Sequence, residues 1–206
     1  MADLAAFQAW IGDYAEVVKE NAEHLTDLDR AIGDGDHGTN MARGMAKVAA
    51  VAQDGEFASI DAYLKKVGMT LVSTVGGASG PLYGTFFLRM AGPLADVEDA
   101  DASAVGAALR AGVEGVVARG KAELDDKTMY DAWAPALEAF DEAKEQGLGE
   151  ALSAAAAAAG EGRDNTKDLI ARKGRASYLG ERSRGHIDPG ASSTTMLVEA
   201  AVRTLS

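Results

Sequence analysis

The sequence predicts an all-α fold, a single domain over residues 1–206 made of eight antiparallel helices running up and down. Three observations carry that expectation. Apolar residues recur at three- and four-residue steps through nearly the whole chain. β-Branched runs are few and none alternates cleanly, so strand signals are weak. Most connections between helical stretches are short, and short loops join antiparallel neighbours. Composition agrees: 47% of the 206 residues are hydrophobic, enough for a substantial core and too many for a disordered chain.

The elements follow in order. Over residues 4–24, Leu4, Phe7, Ile11, Tyr14, Val17 and Val18 fall on one face of a first helix. A second is expected over 38–53 and a third over 59–75, where Ser59 supplies an N-cap. The fourth covers 81–92, with Pro81 suited to its first turn. Asp101 caps the fifth, over 101–119. Thr128 and Asp131 have capping-box spacing at the start of the sixth, over 129–145. Pro135 should kink that helix, because it lacks an N–H and crowds the preceding turn. The Ala154–Ala159 run gives high helix propensity to the seventh, over 149–172, and the eighth covers 191–205. Trp10 and Trp133 sit at helical spacing and are expected in the core, and His24 on a helix face.

Charge and cysteine content narrow the function. The formal net charge is −12, so nucleic acid is a poor partner, since binding it depends on neutralising phosphates with Lys and Arg. Any phosphate ligand must therefore be held by a metal, by backbone N–H groups or by a local basic cluster. With no Cys there are no disulfides and no thiolate metal site, leaving oxygen or imidazole ligands. Residues 1–10 carry Asp3 and no basic start before an apolar core, so no signal peptide is expected. No apolar stretch reaches the ~20 residues a membrane helix needs, and a cytoplasmic protein is expected.

In an up-and-down array the first, third, fifth and seventh connections emerge at one end. Here they are 25–37, 76–80, 120–128 and 173–190, and they contain the unusual chemistry. The even connections, around 54–58, 93–100 and 146–148, are ordinary polar or acidic turns. The site is expected at the odd end.

Asp29, Asp34 and Asp36 crowd three carboxylates into one glycine-rich segment beside His37, a repulsion that a hard cation such as Mg2+ or Ca2+ would relieve. A solvated acidic loop fits the carboxylates equally well. An EF-hand does not, because Met45 stands where its closing Glu belongs. Gly33 to Gly38 matches G-x-G-x-x-G but follows a helix and would face a pyrophosphate with two aspartates. Gly115 to Lys121 has P-loop spacing, but Ala122 replaces the Ser/Thr that binds Mg2+. Both are set aside. Val75 to Pro81 reads as an anion cradle of glycine N–H groups with the Ser79 hydroxyl, or as a flexible connector. Arg119, Lys121, Lys127, Arg172, Lys173, Arg175, Arg182 and Arg184, eight of the twenty Lys and Arg, gather at the odd end. Beside a carboxylate metal loop they favour a metal–polyphosphate site over a merely solvated basic face. Met129 could pack on a nucleobase or fill the core, and His186 could contact a ligand or partner.

Four stretches together resemble the nucleotide-binding L subunit of bacterial dihydroxyacetone kinases. They are Leu28 to Gly38, Gly76 to Thr85, Arg119 to Ala122 with Asp126 to Met129, and Ala171 to Arg182 continuing through Asp188 to Ala191. They run in order over most of the chain, while the third helix and the Ala-rich seventh match only in general character. The resemblance implies an eight-helix antiparallel barrel with a nucleotide, ADP or ATP, and two Mg2+ ions at one end. It implies Asp29, Asp34 and Asp36 as metal ligands. It places His37, Gly38, Thr39, Asn40, Ala78, Ser79, Gly120, Met129, Arg175, Asp188, Pro189 and Gly190 around the nucleotide, with no nucleophile of the chain's own. The triose would be held by a separate K subunit. As an L subunit alone, the chain would belong to the phosphotransferase-system type, in which bound ADP is rephosphorylated by a phosphohistidine M subunit. The same fold also serves ATP-dependent kinases with another partner, as in fatty-acid kinase relatives. From a different class, a non-catalytic sensor whose nucleotide state acts on a transcriptional regulator fits as well.

Overall fold

The computed structural model describes the backbone of residues 1–206 and every side chain except those of Gln53 and Asp54. It is all-helical. The nine α-helices are α1 (Leu4–Glu20), α2 (Ala22–Ile32), α3 (His37–Asp54), α4 (Ile60–Thr74), α5 (Ser79–Met90), α6 (Ala102–Gly120), α7 (Met129–Ala143), α8 (Leu148–Asn165) and α9 (Pro189–Thr204). Among the described residues there is no strand; one isolated antiparallel bridge joins Ala2 to Ala100. Among the described residues no helix is long and apolar enough to cross a membrane.

Two boundaries differ from expectation, each for a local reason. The first expected helix is two, broken at Asn21. There the Val17 carbonyl accepts from both the Asn21 backbone N–H (3.0 Å) and its side-chain amide (2.8 Å), a local alternative to continuing the ladder. α2 then runs on through Ile32, burying Leu25, Thr26, Asp29 and Ile32 at helical spacing, so the expected 25–37 connection shrinks to Gly33–Asp36. The seventh expected helix, to residue 172, ends at Asn165. Beyond it the backbone bonds to neighbouring segments: Arg172 N–H donates to the Asp126 carbonyl (3.0 Å) and Ala171 N–H to Ser183 Oγ (2.9 Å).

The expected caps form. Asp101 Oδ1 accepts from Ala104 N–H at 2.8 Å, and Ser59 Oγ from Ala62 N–H at 3.4 Å. Thr128 and Asp131 make a reciprocal capping box, and Pro135 lies inside α7 without ending it. Each helix from α3 onward packs on the next in chain order, and α1 contacts both α3 and α9. The core lies between them. Phe86 stacks on Trp133 with ring centroids 4.8 Å apart, and Phe87 meets Trp10 edge-on at 6.0 Å. Each such side chain fully buried contributes about 1.5–3 kcal/mol of hydrophobic stabilisation. Ala155 and Ala159 of the alanine run are buried in α8, whose small side chains allow close packing.

Candidate functional site

The segments before α3, α5, α7 and α9 meet in one cleft of about 470 Å³. The first residues of those helices, His37, Ser79, Met129 and Pro189, all line it. Four helix N-termini therefore open on one volume. The first turn of a helix carries N–H groups without intrahelical partners and a partial positive charge, which favours an anion. A larger cavity of about 700 Å³ between α6 and α7 has apolar residues such as Val113 and Leu137 with Glu114, Glu138, Asp141, Glu142 and Arg110 around them.

The aspartates occupy one side of the cleft. Asp29 is buried in the last turn of α2, and its Oδ2 accepts from the backbone N–H groups of Asp36 (2.8 Å) and His37 (3.1 Å). It thus caps α3 from outside that helix and leaves the Asp36 side chain free of any capping bond. Gly33 permits this, because a Cβ there would run into Asp29 Oδ1. One oxygen from each of Asp29, Asp34 and Asp36 lies within 4.8 Å of the others. An oxygen-only set of three carboxylates fits a hard divalent cation such as Mg2+. Asp34 Oδ2 also takes an ion pair with Arg175 Nε at 2.8 Å, which ties the 173–184 segment to this cluster.

His37 sits on the cleft floor with both ring nitrogens engaged. Nδ1 lies 3.0 Å from Ser79 Oγ and Nε2 lies 2.9 Å from Ser193 Oγ. Ser193 Oγ is in turn 2.6 Å from the Tyr83 hydroxyl. Burial lowers the imidazole below its ordinary value, against the pull of Asp29 and Asp36, so the ring is neutral at pH 7. The ring links α3, α5 and α9. Ser193 and Tyr83 escape a reading of motifs, although the run Ser192 to Thr195, four hydroxyls inside a buried helix, was their signal.

Also on the cleft wall, Asp188 caps α9, its Oδ2 accepting from Ala191 N–H at 2.7 Å. Burial pushes its carboxyl up to about 7. Pro189, Gly190, Ala78 and Gly120 line the cleft as well, and Met129 is both cleft wall and core. Gly38, Thr39 and Asn40 do not line it. Gly38 faces α2, where a Cβ would run into the Ala22 carbonyl; Thr39 is exposed; Asn40 lies behind Gly76 and accepts from Arg43 at 2.8 Å. α3 carries these three away from the cavity as it turns.

Of the eight basic residues, Arg119, Lys127, Lys173 and Arg175 line the cleft; Lys121, Arg172, Arg182 and Arg184 do not. Arg184 instead donates to the Asp168 carbonyl at 3.1 Å. The His186 side chain is exposed and outside the cavity wall.

A cleft of this construction can hold a polyanion between a metal cluster and helix N-termini. The DAK2 domain matches residues 31–203. The chain is 47% identical over 195 residues to the PEP-dependent dihydroxyacetone kinase 1, ADP-binding subunit DhaL, of Listeria innocua, covering 95% of this chain and 93% of that one. It is 45% identical to the corresponding ADP-binding subunit DhaL of Escherichia coli, over 92% and 91% of the two chains. Among solved structures, the dihydroxyacetone kinase of C. freundii is similar with a TM-score of 0.77 at 25% identity. That match covers 97% of this chain and 34% of that one. The same kinase in complex with AMP-PNP and Mg2+ gives a TM-score of 0.75. The chain belongs to the DAK2-domain family, with the DhaL subunits among its full-length relatives.

Proposed function

We propose that the chain is the ADP-binding subunit of a PEP-dependent dihydroxyacetone kinase, presenting the terminal phosphoryl group of a Mg2+-bound nucleotide to a triose held by a separate K subunit. One observation carries the reading: a three-aspartate cluster and four helix N-termini share one cleft, in a chain similar along its full length to ADP-binding subunits. Asp29, Asp34 and Asp36 would hold two Mg2+ ions. The α5 and α9 N-termini and Ser79 receive phosphate oxygens, Arg175 and Lys173 balance the remaining charge, and Met129 packs on the base. Bound Mg2+ supplies neutralisation of phosphate charge. The chain's own part is positioning and electrostatic stabilisation, since its groups hold the phosphoryl donor and offer no nucleophile to it. ADP would remain in place as a cofactor, rephosphorylated by the phosphohistidine M subunit of the phosphotransferase system in the cytoplasm. The closure of helix contacts from α9 back to α1 favours the eight-helix barrel, with α1 and α2 counting as one bent stave.

Reconstitution tests this. The purified chain should bind Mg2+–ADP and turn over dihydroxyacetone only with K and M partners and PEP-derived phosphoryl groups. Robust phosphorylation of dihydroxyacetone by the chain alone with ATP and Mg2+ would overturn the reading. Ready replacement of the bound ADP by ATP, with ATP-driven turnover alongside K, would instead place it with the ATP-dependent kinases.

A further inference from the structure

We propose that Lys127 is a positioning residue for the nucleotide site, acting through the Asp188–Gly190 turn and not on the ligand; the inference rests on the cleft being that site. Lys127 is 1% exposed, although a lysine ordinarily keeps its ammonium in water. Its backbone is left-handed, with φ 63°, a conformation that non-glycine residues adopt only when surrounding structure imposes it. The ammonium has three protons and meets three backbone carbonyls: Thr166 at 2.5 Å, Leu169 at 3.3 Å, and His186. No proton is left for a phosphate. The sequence places this residue in the anion-balancing cluster; it does line the cleft, but its bonds commit the ammonium to the protein's own carbonyls.

Those carbonyls belong to two segments, the chain just after α8 and the turn leading into α9. A second strap joins the same pair, since Asp188 N–H donates to Thr166 Oγ1 at 2.9 Å inside the protein. A third runs from Gly185 N–H to the Lys167 carbonyl at 2.7 Å. The turn so held delivers Asp188, Pro189 and Gly190 to the cleft wall. Two residues after Lys127 comes Met129, which adjoins Gly190 so closely that a Cβ there would lie 3.6 Å from the Met129 backbone nitrogen. One ammonium thus fixes where the α7 and α9 starts stand relative to each other. Removing it takes the ammonium from all three carbonyls; Thr166 keeps the Leu169 N–H at 3.2 Å, but those of Leu169 and His186 lose this donor, and a buried polar group without a partner is costly.

The test uses the full chain, Mg2+–ADP and the reconstituted kinase, with Lys127→Met, Thr166→Val and Thr166→Ser. Titration calorimetry should show Mg2+–ADP affinity weakened by about tenfold or more in Lys127→Met and Thr166→Val, the equivalent of ~1.4 kcal/mol or more. Thr166→Ser, which keeps the hydroxyl, should restore affinity. The loss should fall on affinity for the nucleotide and not on kcat at saturating nucleotide. Hydrogen exchange should show protection lost selectively at 185–191. Unchanged affinity in folded variants overturns the proposal, and so does a fall in kcat with unchanged affinity, which would put Lys127 on the reacting phosphate. Should Lys127→Met fail to fold, Lys127→Gln, which keeps a side-chain donor but loses the charge and the third bond, takes its place, and unchanged affinity in it overturns the proposal equally; Thr166→Val reports on the second strap to the same turn. Failure of the unsubstituted chain to bind Mg2+–ADP would instead remove the nucleotide reading itself.

Discussion

Asp36→Asn is expected to lower phosphoryl transfer by the reconstituted kinase by about two to three orders of magnitude, the scale on which loss of one electrostatic group at a reacting centre is felt. The side chain makes no capping hydrogen bond, so the helical fold should survive, as circular dichroism would show. What is lost is one of three carboxylates whose oxygens lie within 4.8 Å of one another, and with it part of the hold on the cation. Raising Mg2+ should recover part of the activity. Near-normal turnover at low Mg2+ would remove Asp36 from the metal site. Asp29→Asn differs in kind, because Asp29 also accepts the first two N–H groups of α3 and should cost stability as well.

The second large effect is on stability. Trp133→Ala should destabilise the chain by about 3–5 kcal/mol, as expected when a fully buried tryptophan leaves a cavity that only partly collapses. The indole stacks on Phe86 at 4.8 Å, one turn into the helix that begins at Met129. Its Nε1 is buried without a partner, whereas Trp10 Nε1 donates to the Leu197 carbonyl at 2.9 Å. Trp133→Phe should therefore be milder than Trp10→Phe, which removes a buried hydrogen bond. Urea unfolding midpoints decide the order, and a reversed order would mean that packing volume outweighs the hydrogen bond.

Most of the frame was legible in the sequence because helical periodicity and caps are local signals. Ser59, Asp101 and the Thr128–Asp131 pair mark helix starts that the structure keeps. The gathering of the odd connections followed from topology alone. What escaped depends on partners distant in sequence. Asn21 breaks a helix through a side-chain bond that periodicity does not register, and Leu25 to Ile32 continue the pattern into a stretch read as loop. Asp29 accordingly stands on a helix and reaches back to cap another. α8 ends early because the groups beyond it bond to the 126–127 loop and to Ser183. Lys127 looks like any surface cation until its carbonyl partners, 39 to 59 residues away, are in place. A hard cation and a polyphosphate were legible in the residues themselves, although the carboxylates alone also fit a solvated acidic loop; the nucleotide and the pair of Mg2+ ions came from the family resemblance.

Four segments far apart in sequence line one cleft, and on the reading proposed above they act as one nucleotide site. Metal and nucleotide bind only the folded chain, so Mg2+–ADP should stabilise it by about 2.7 kcal/mol at a hundred times the dissociation constant. Hydrogen exchange with and without Mg2+–ADP shows whether the four segments respond together. Protection gained together at 29–40, 76–80, 120–129 and 173–190, and lost on chelation, is the predicted result. Protection confined to 29–40 would contradict it, leaving a simple cation site at the three aspartates and no nucleotide in the cleft.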